Sequence, residues 1–188
     1  MISCTYMYRI DQKDKLKMLI NADKNVFSTS DIATIWGITN KNTLWTTLKR
    51  YVQNNTLHRL RKGIYSKVEP SKLDSFEIGC ALAGPFSYIS LETVLSQNGI
   101  IMQNVEKITL IGDSSSEFTY GGKSFVVRKM NPDFLFNRVG IEDKKRYSVS
   151  SLERAVADIQ YYSPNYYFDN EDPIDWNKVS EIKEFVGY

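Results

Sequence analysis

Histidine and cysteine are almost missing from this chain: His58 is the only histidine among 188 residues, and Cys4 and Cys80 are the only cysteines. No Cys/His cluster therefore has the spacing of a zinc site. A single histidine without partners is a poor general base, and a strand or hairpin position is the expected place of His58. Cys4 lies near the N-terminus and Cys80 in an apolar helical stretch, so free thiols are expected rather than a disulfide. No run approaches the ~20 apolar residues that a membrane span needs. Met1-Ile2-Ser3-Cys4-Thr5-Tyr6 lacks the basic flank and long apolar core of a secretory signal, which makes the cytoplasm the expected location. There is no phosphate-binding glycine loop and no serine with a recognisable base. The sequence calls for no cofactor, no metal and no catalytic residue, so a non-enzymatic role is expected.

A second scarcity is local. No Asp or Glu occurs between Thr39 and Val68, although an exposed amphipathic segment normally mixes both signs. Residues 1–70 hold twelve Lys/Arg against five Asp/Glu, a balance of +7; residues 71–188 hold twelve against seventeen, a balance of −5. The overall +2 thus conceals a basic first third joined to an acidic remainder, the pattern of an anion-binding module on a domain with another task.

Within the basic third, residues 11–21 read as a helix with Leu16, Leu19 and Ile20 on one side and Lys13, Lys15 and Lys17 on the other. Asp23-Lys24-Asn25 is a turn, and Ser28 with Asp31 resembles a capping box that Phe27 would staple. The helix Thr29–Trp36 would bury Ile32, Ala33 and Ile35 or Trp36. Gly37 ends it, Ile38 is an apolar plug, and Thr39 or Asn40 can cap the next helix, residues 41–54. There Leu44, Leu48, Tyr51 and Val52 share one face. Asn42, Thr43, Thr46, Lys49, Arg50 and Gln53 hold the opposite face, with Trp45 and Thr47 on the flanks. Two short helices about a glycine turn are the signature of a helix-turn-helix. Asn and Gln pair with adenine edges, Arg with guanine, and Thr with the thymine methyl. The basic segment Leu57–Ser66 turns at Lys62-Gly63, a hairpin that would serve as a wing and bring Arg59, Arg61 and Lys62 to phosphates. The candidate DNA-binding residues are Asn40, Lys41, Asn42, Thr43, Thr46, Lys49, Arg50, Gln53, Arg59, Arg61 and Lys62.

Val68-Glu69-Pro70-Ser71-Lys72 marks a boundary, giving a winged helix-turn-helix over 1–69 and an α+β domain with a small antiparallel sheet over 70–188. Helices are expected over 76–83, over 91–97 with Ser90 as cap, over 152–160 after Ser150 or Ser151, and over 176–186. Strands are expected at Lys107–Ile111 and Arg146–Val149, with a hairpin of Glu117–Tyr120 and Lys123–Lys129 about Gly121-Gly122. Pro132-Asp133 and Glu142-Asp143-Lys144 mimic the acidic pair and lysine of a Mg²⁺-dependent nuclease. Such carboxylates must emerge from adjacent core strands, however, and the cluster Glu142–Lys145 reads as a turn. The aromatic tail, with Tyr161-Tyr162, Tyr166-Tyr167-Phe168 and Trp176, reads as core or interface.

Three stretches carry a likeness to a known family: Leu57–Tyr65 in the basic hairpin, Gly84-Pro85-Phe86-Ser87-Tyr88-Ile89-Ser90-Leu91-Glu92-Thr93-Val94-Leu95 followed by Asn98-Gly99-Ile100, and Ser150-Ser151-Leu152-Glu153-Arg154-Ala155-Val156-Ala157-Asp158. In their order and spacing the chain resembles the AbiEi-type antitoxins of type IV toxin–antitoxin systems and related transcriptional regulators. The resemblance implies a repressor that binds inverted repeats in double-stranded DNA at its own promoter and opposes a nucleotidyltransferase-like toxin, with antitoxin activity in the C-terminal domain. A single helix-turn-helix reads few bases, so two copies per operator are expected. On physical grounds alone Tyr88, Leu91, Leu95 and Glu153 with Asp158 would simply build and cap a core. A stand-alone regulator and a protein-interaction module, whose acidic half sequesters a basic partner, are the alternatives; a nuclease is the remote one.

Overall fold

The computed structural model describes residues 12–188, so the expectation for Cys4 lies outside the described residues. The fold is a mixed α+β arrangement with eight α-helices and two sheets among the described residues, and the chain divides into two compact units at Pro70/Ser71. None of the described helices is long and apolar enough to cross a membrane.

In the N-terminal unit, helix α1 (Gln12–Asn21) leads to strand β1 (Val26–Ser28), helices α2 (Thr29–Trp36) and α3 (Lys41–Gln53), and strands β2 (His58–Arg61) and β3 (Ile64–Ser66). The small sheet has the order β1-β3-β2 and is antiparallel throughout. The core gathers Leu19, Phe27, Ile32, Trp36, Leu44, Leu48, Tyr51, Leu57 and Tyr65. The helix starts are written locally. Ser28 Oγ accepts from the Asp31 amide at 3.1 Å while the Ser28 amide donates to Asp31 at 2.8 Å, a full capping box. Asn40 Oδ1 accepts from the Asn42 and Thr43 amides, and so opens α3. Gly37 closes α2 at a φ of 61°, a conformation that would strain a residue with a Cβ.

Three local expectations need correction. Ile20 is exposed rather than packed, because the α1 stripe runs through Leu16 and Leu19 toward Ala22. Thr47 is buried rather than flanking, its hydroxyl satisfied by the Thr43 carbonyl at 2.7 Å. Val26-Phe27 is more than an apolar lead-in: it is the strand that completes the sheet against β3.

The C-terminal unit follows a 3₁₀ turn at Pro70–Lys72. It contains α4 (Ser75–Ala83), β4 (Tyr88–Ile89), α5 (Glu92–Gln97), β5 (Lys107–Gly112), β6 (Ser116–Tyr120), β7 (Lys123–Lys129), α6 (Pro132–Leu135), β8 (Ile141–Asp143), β9 (Ser148–Ser150), α7 (Leu152–Tyr162) and α8 (Trp176–Val186). Its sheet is not the small antiparallel one expected. Six strands run in the order β6-β7-β5-β4-β9-β8, with β5/β7 and β4/β9 parallel. The Gly121-Gly122 hairpin forms as read, but β7 rather than β6 lies beside β5 and β6 becomes an edge. The two-residue β4 is too short to show a period.

Candidate nucleic-acid interface

Helix α3 presents two kinds of surface. Leu44, Thr47, Leu48 and Tyr51 are buried on the core side. Asn42, Thr43, Thr46, Lys49, Arg50 and Gln53 are exposed, as are Asn40 and Lys41 at the start of the helix. On the hairpin, Leu60 is buried between exposed Arg59 and Arg61, and Lys62 is exposed at the turn. The strand register shifts between Arg59 and Arg61, an irregularity that re-aims side chains. The turn itself is anchored: the Thr29 amide donates to the Gly63 carbonyl at 2.8 Å and the Thr29 hydroxyl to the same oxygen at 3.1 Å.

Between α3 and this hairpin lies a groove of about 1220 Å³. It brings together Lys41, Lys49 and Gln53 from the helix with Arg59 and Lys62 from the hairpin. Asn40, Asn42, Thr43, Thr46, Arg50 and Arg61 lie outside its lining. Asn40 also spends its side-chain oxygen on the helix cap. The sequence reading missed Trp45, which lines the groove and is 58% exposed. Its position on the flank of the helical wheel hid it; the usable signal was a tryptophan one turn from Lys41 and one from Lys49.

The charges of the unit fall into two sets. Lys24 pairs with Asp31 at 2.7 Å. That pairing, with the bonds from Ser28, holds the Asp31 carboxyl below its ordinary range although burial pushes it the other way. Lys67 donates to the Leu19, Ile20 and Ala22 carbonyls at 3.1, 2.9 and 2.6 Å, closing the C-terminal end of α1. These cations serve the fold. Lys41, Lys49, Arg59, Arg61 and Lys62, by contrast, have no ion-pair partner among the described residues and stand on a segment without carboxylates.

The C-terminal unit holds a buried polar cluster that the sequence reading half found. Arg154, Asp158 and Tyr88 are shielded from solvent. Arg154 Nε donates to Asp158 at 2.8 Å, and its other nitrogens donate to the carbonyls of Asn137, Val139 and Phe134 and to the Tyr88 hydroxyl. Ser90 donates to Asp158 at 2.8 Å, and the Tyr188 hydroxyl also donates to this carboxylate. Burial disfavours the guanidinium charge, but the neighbouring carboxylate outweighs it and holds Arg154 above its ordinary value. Arg154, to which the sequence reading gives no role, is thus the partner of Asp158. Ser90 does not cap α5: Leu91 takes the cap position at a φ of 58° with no side-chain bond. Ser151, of the two serines considered, caps α7. Every group of this cluster is satisfied internally, and it reads as a structural core.

The acidic residues weighed as a nuclease site sit on separate elements: Asp133 on α6, and Glu142 with Asp143 on the edge strand β8. Of the turn expected over Glu142–Lys145, Glu142 and Asp143 are instead strand, because β8 pairs with β9, while Lys144 and Lys145 do lie in the connection between the two strands. Glu142 is bonded by Lys144, and Asp143 by Arg138 and Ser148. No group of three or more His, Cys, Asp or Glu is placed to hold a metal ion among the described residues. Cys80 is a buried free thiol, which burial pushes up to about 11. Comparison with models of known protein families finds no match for this chain, and comparison with curated proteins finds none similar in sequence.

Proposed function

We propose that the N-terminal unit is a winged helix-turn-helix that binds double-stranded DNA, and that the chain is a non-enzymatic transcriptional repressor of the antitoxin type. Helix α3 would enter the major groove while the β2–β3 hairpin grips the backbone. One observation carries this reading. Five exposed cations without ion-pair partners among the described residues line α3 and the adjoining hairpin, and no carboxylate lies between Thr39 and Val68 to repel phosphate. The antitoxin half of the proposal rests on the three stretches that resemble AbiEi-type antitoxins.

The test is a salt titration of duplex binding, using DNA from directly upstream of the gene. Replacing Lys49 and Arg50 by Ala should cost roughly 1–3 kcal/mol per lost base contact and reduce discrimination between sequences. Arg61→Ala should weaken binding to all duplexes and flatten the salt slope by about 1. No duplex binding at low salt would end the DNA reading. For the antitoxin half, co-expression with a nucleotidyltransferase toxin encoded beside the gene should restore growth. Continued toxicity would remove that half and leave a stand-alone regulator.

A further inference from the structure

Trp45 is not among the charged and polar contacts proposed above, yet it lines the groove with several of them. Along α3, Lys41, Trp45, Lys49 and Gln53 follow one another at four-residue intervals, and all four line it. Each interval is slightly more than one helical turn, about 6 Å of rise. Arg59, Lys62 and Gly63 form the facing wall, and Ala33, Ile38, Leu44, Val52 and Tyr65 supply apolar lining. No Asp or Glu lines the groove. In the same unit Trp36 is 2% exposed, with its indole nitrogen donating to the Lys15 carbonyl at 2.9 Å. The core therefore already has its tryptophan, and Trp45 is left facing outward with no ring partner among the described residues.

Cations on both rims with an aromatic ring between them match a polyanion whose charges are separated by apolar surface. One strand of a DNA duplex has this character: phosphates alternate with deoxyribose rings, and thymine adds a methyl group at the groove edge. We infer that Trp45 is a direct, uncharged DNA contact, on which the apolar edge of a single strand of the duplex packs while Lys41, Lys49, Arg59 and Lys62 hold the flanking phosphates. This rests on the DNA-binding reading and adds a residue that acts by contact rather than by charge. Large aromatics at the centre of a contact carry a disproportionate share of binding energy.

Charge and contact separate in one experiment on the full chain with a short mixed-sequence duplex. Trp45→Ala should lower affinity about tenfold, as truncating a central interface aromatic does, with the salt slope unchanged, because no counterion-releasing contact is lost. Lys49→Ala should lower affinity and flatten the slope. Trp45→Phe should retain most of the affinity, and the quenching of Trp45 fluorescence expected when duplex is added to wild type should be lost in it. A duplex with uracil in place of thymine divides the two apolar sources: a loss confined to wild type assigns the methyl, and equal behaviour of both duplexes assigns the sugar. If wild type and Lys49→Ala bind as described but Trp45→Ala binds like wild type, this inference falls and the DNA reading stands. If wild type binds no duplex at low salt, both fall. Stronger quenching by a single-stranded oligonucleotide than by the duplex would also overturn it, since an open base would then be the true occupant.

Discussion

The Arg154–Asp158 pair gives the sharpest energetic forecast. Both side chains are 0% exposed, and the guanidinium donates to one carboxylate, three backbone carbonyls and the Tyr88 hydroxyl. Asp158→Asn keeps the shape and leaves oxygen and amide groups facing Ser90, Tyr88 and Tyr188, but among the described residues it deletes the one charge paired with Arg154. A guanidinium cannot shed its proton to escape, so the variant holds an uncompensated buried cation. Breaking a buried pair from one side costs about 3–5 kcal/mol, set against a total of ~5–15 kcal/mol for a whole domain. At ~3–5 °C per kcal/mol, the C-terminal unit should melt about 10–20 °C lower. Differential scanning calorimetry of the full chain measures this directly. The double replacement Arg154→Met with Asp158→Leu removes both charges and should recover most of the loss. An Asp158→Asn shift below about 4 °C, equivalent to roughly 1 kcal/mol, would refute the idea that the carboxylate holds the arginine in place.

Further outcomes follow from single side chains. Lys67→Met removes three charge-assisted bonds from the end of α1 and should lower stability by about 1.5–3 kcal/mol in urea unfolding. A change under ~0.5 kcal/mol, the range of an ordinary surface substitution, would show those carbonyls are as well served by water. Cys80 should resist iodoacetamide in the native protein at pH 8, followed by mass spectrometry of the peptide that contains it. Because its thiol is raised from 9.0 to about 11 in the fold, its contribution is intact below pH 9.0 and is lost as pH rises toward 11. Rapid native alkylation at pH 8 would contradict its burial.

What the sequence disclosed was chiefly local. Helices α2, α3, α7 and α8 are legible because their apolar period and N-terminal caps lie within a few residues of one another, and α2 and α8 also end at a glycine. The hairpins at Lys62-Gly63 and Gly121-Gly122 are legible for the same reason. The order of the six-stranded sheet is not, because β4 pairs with β9 some sixty residues away and with β5, and neither partner is marked in Tyr88-Ile89. Arginine is normally a surface residue, and nothing in the sequence around Arg154 marks the distant carbonyls of Phe134, Asn137 and Val139 that let it be buried. The role of Lys67 in closing a helix is equally unmarked, because the carbonyls it meets lie some forty-five residues earlier in the chain. All eleven candidate interface residues are exposed, since alternation on a helix or strand decides which way a side chain faces. Trp45 escaped because the groove is created by a hairpin distant in sequence.

The two hydrogen bonds from Thr29 to the Gly63 carbonyl reach beyond their own energy. Thr29 begins the helix that directly follows β1, and β1 is zipped to the returning arm of the hairpin. The jaw beside α3 is thus riveted at its tip and along its root, so its gape is set while the chain folds. A ligand meets no loop that must first be ordered, which removes a common entropic toll on association. It also means that adjustment falls to the visitor: a stiff guest of the wrong width must itself bend or be refused.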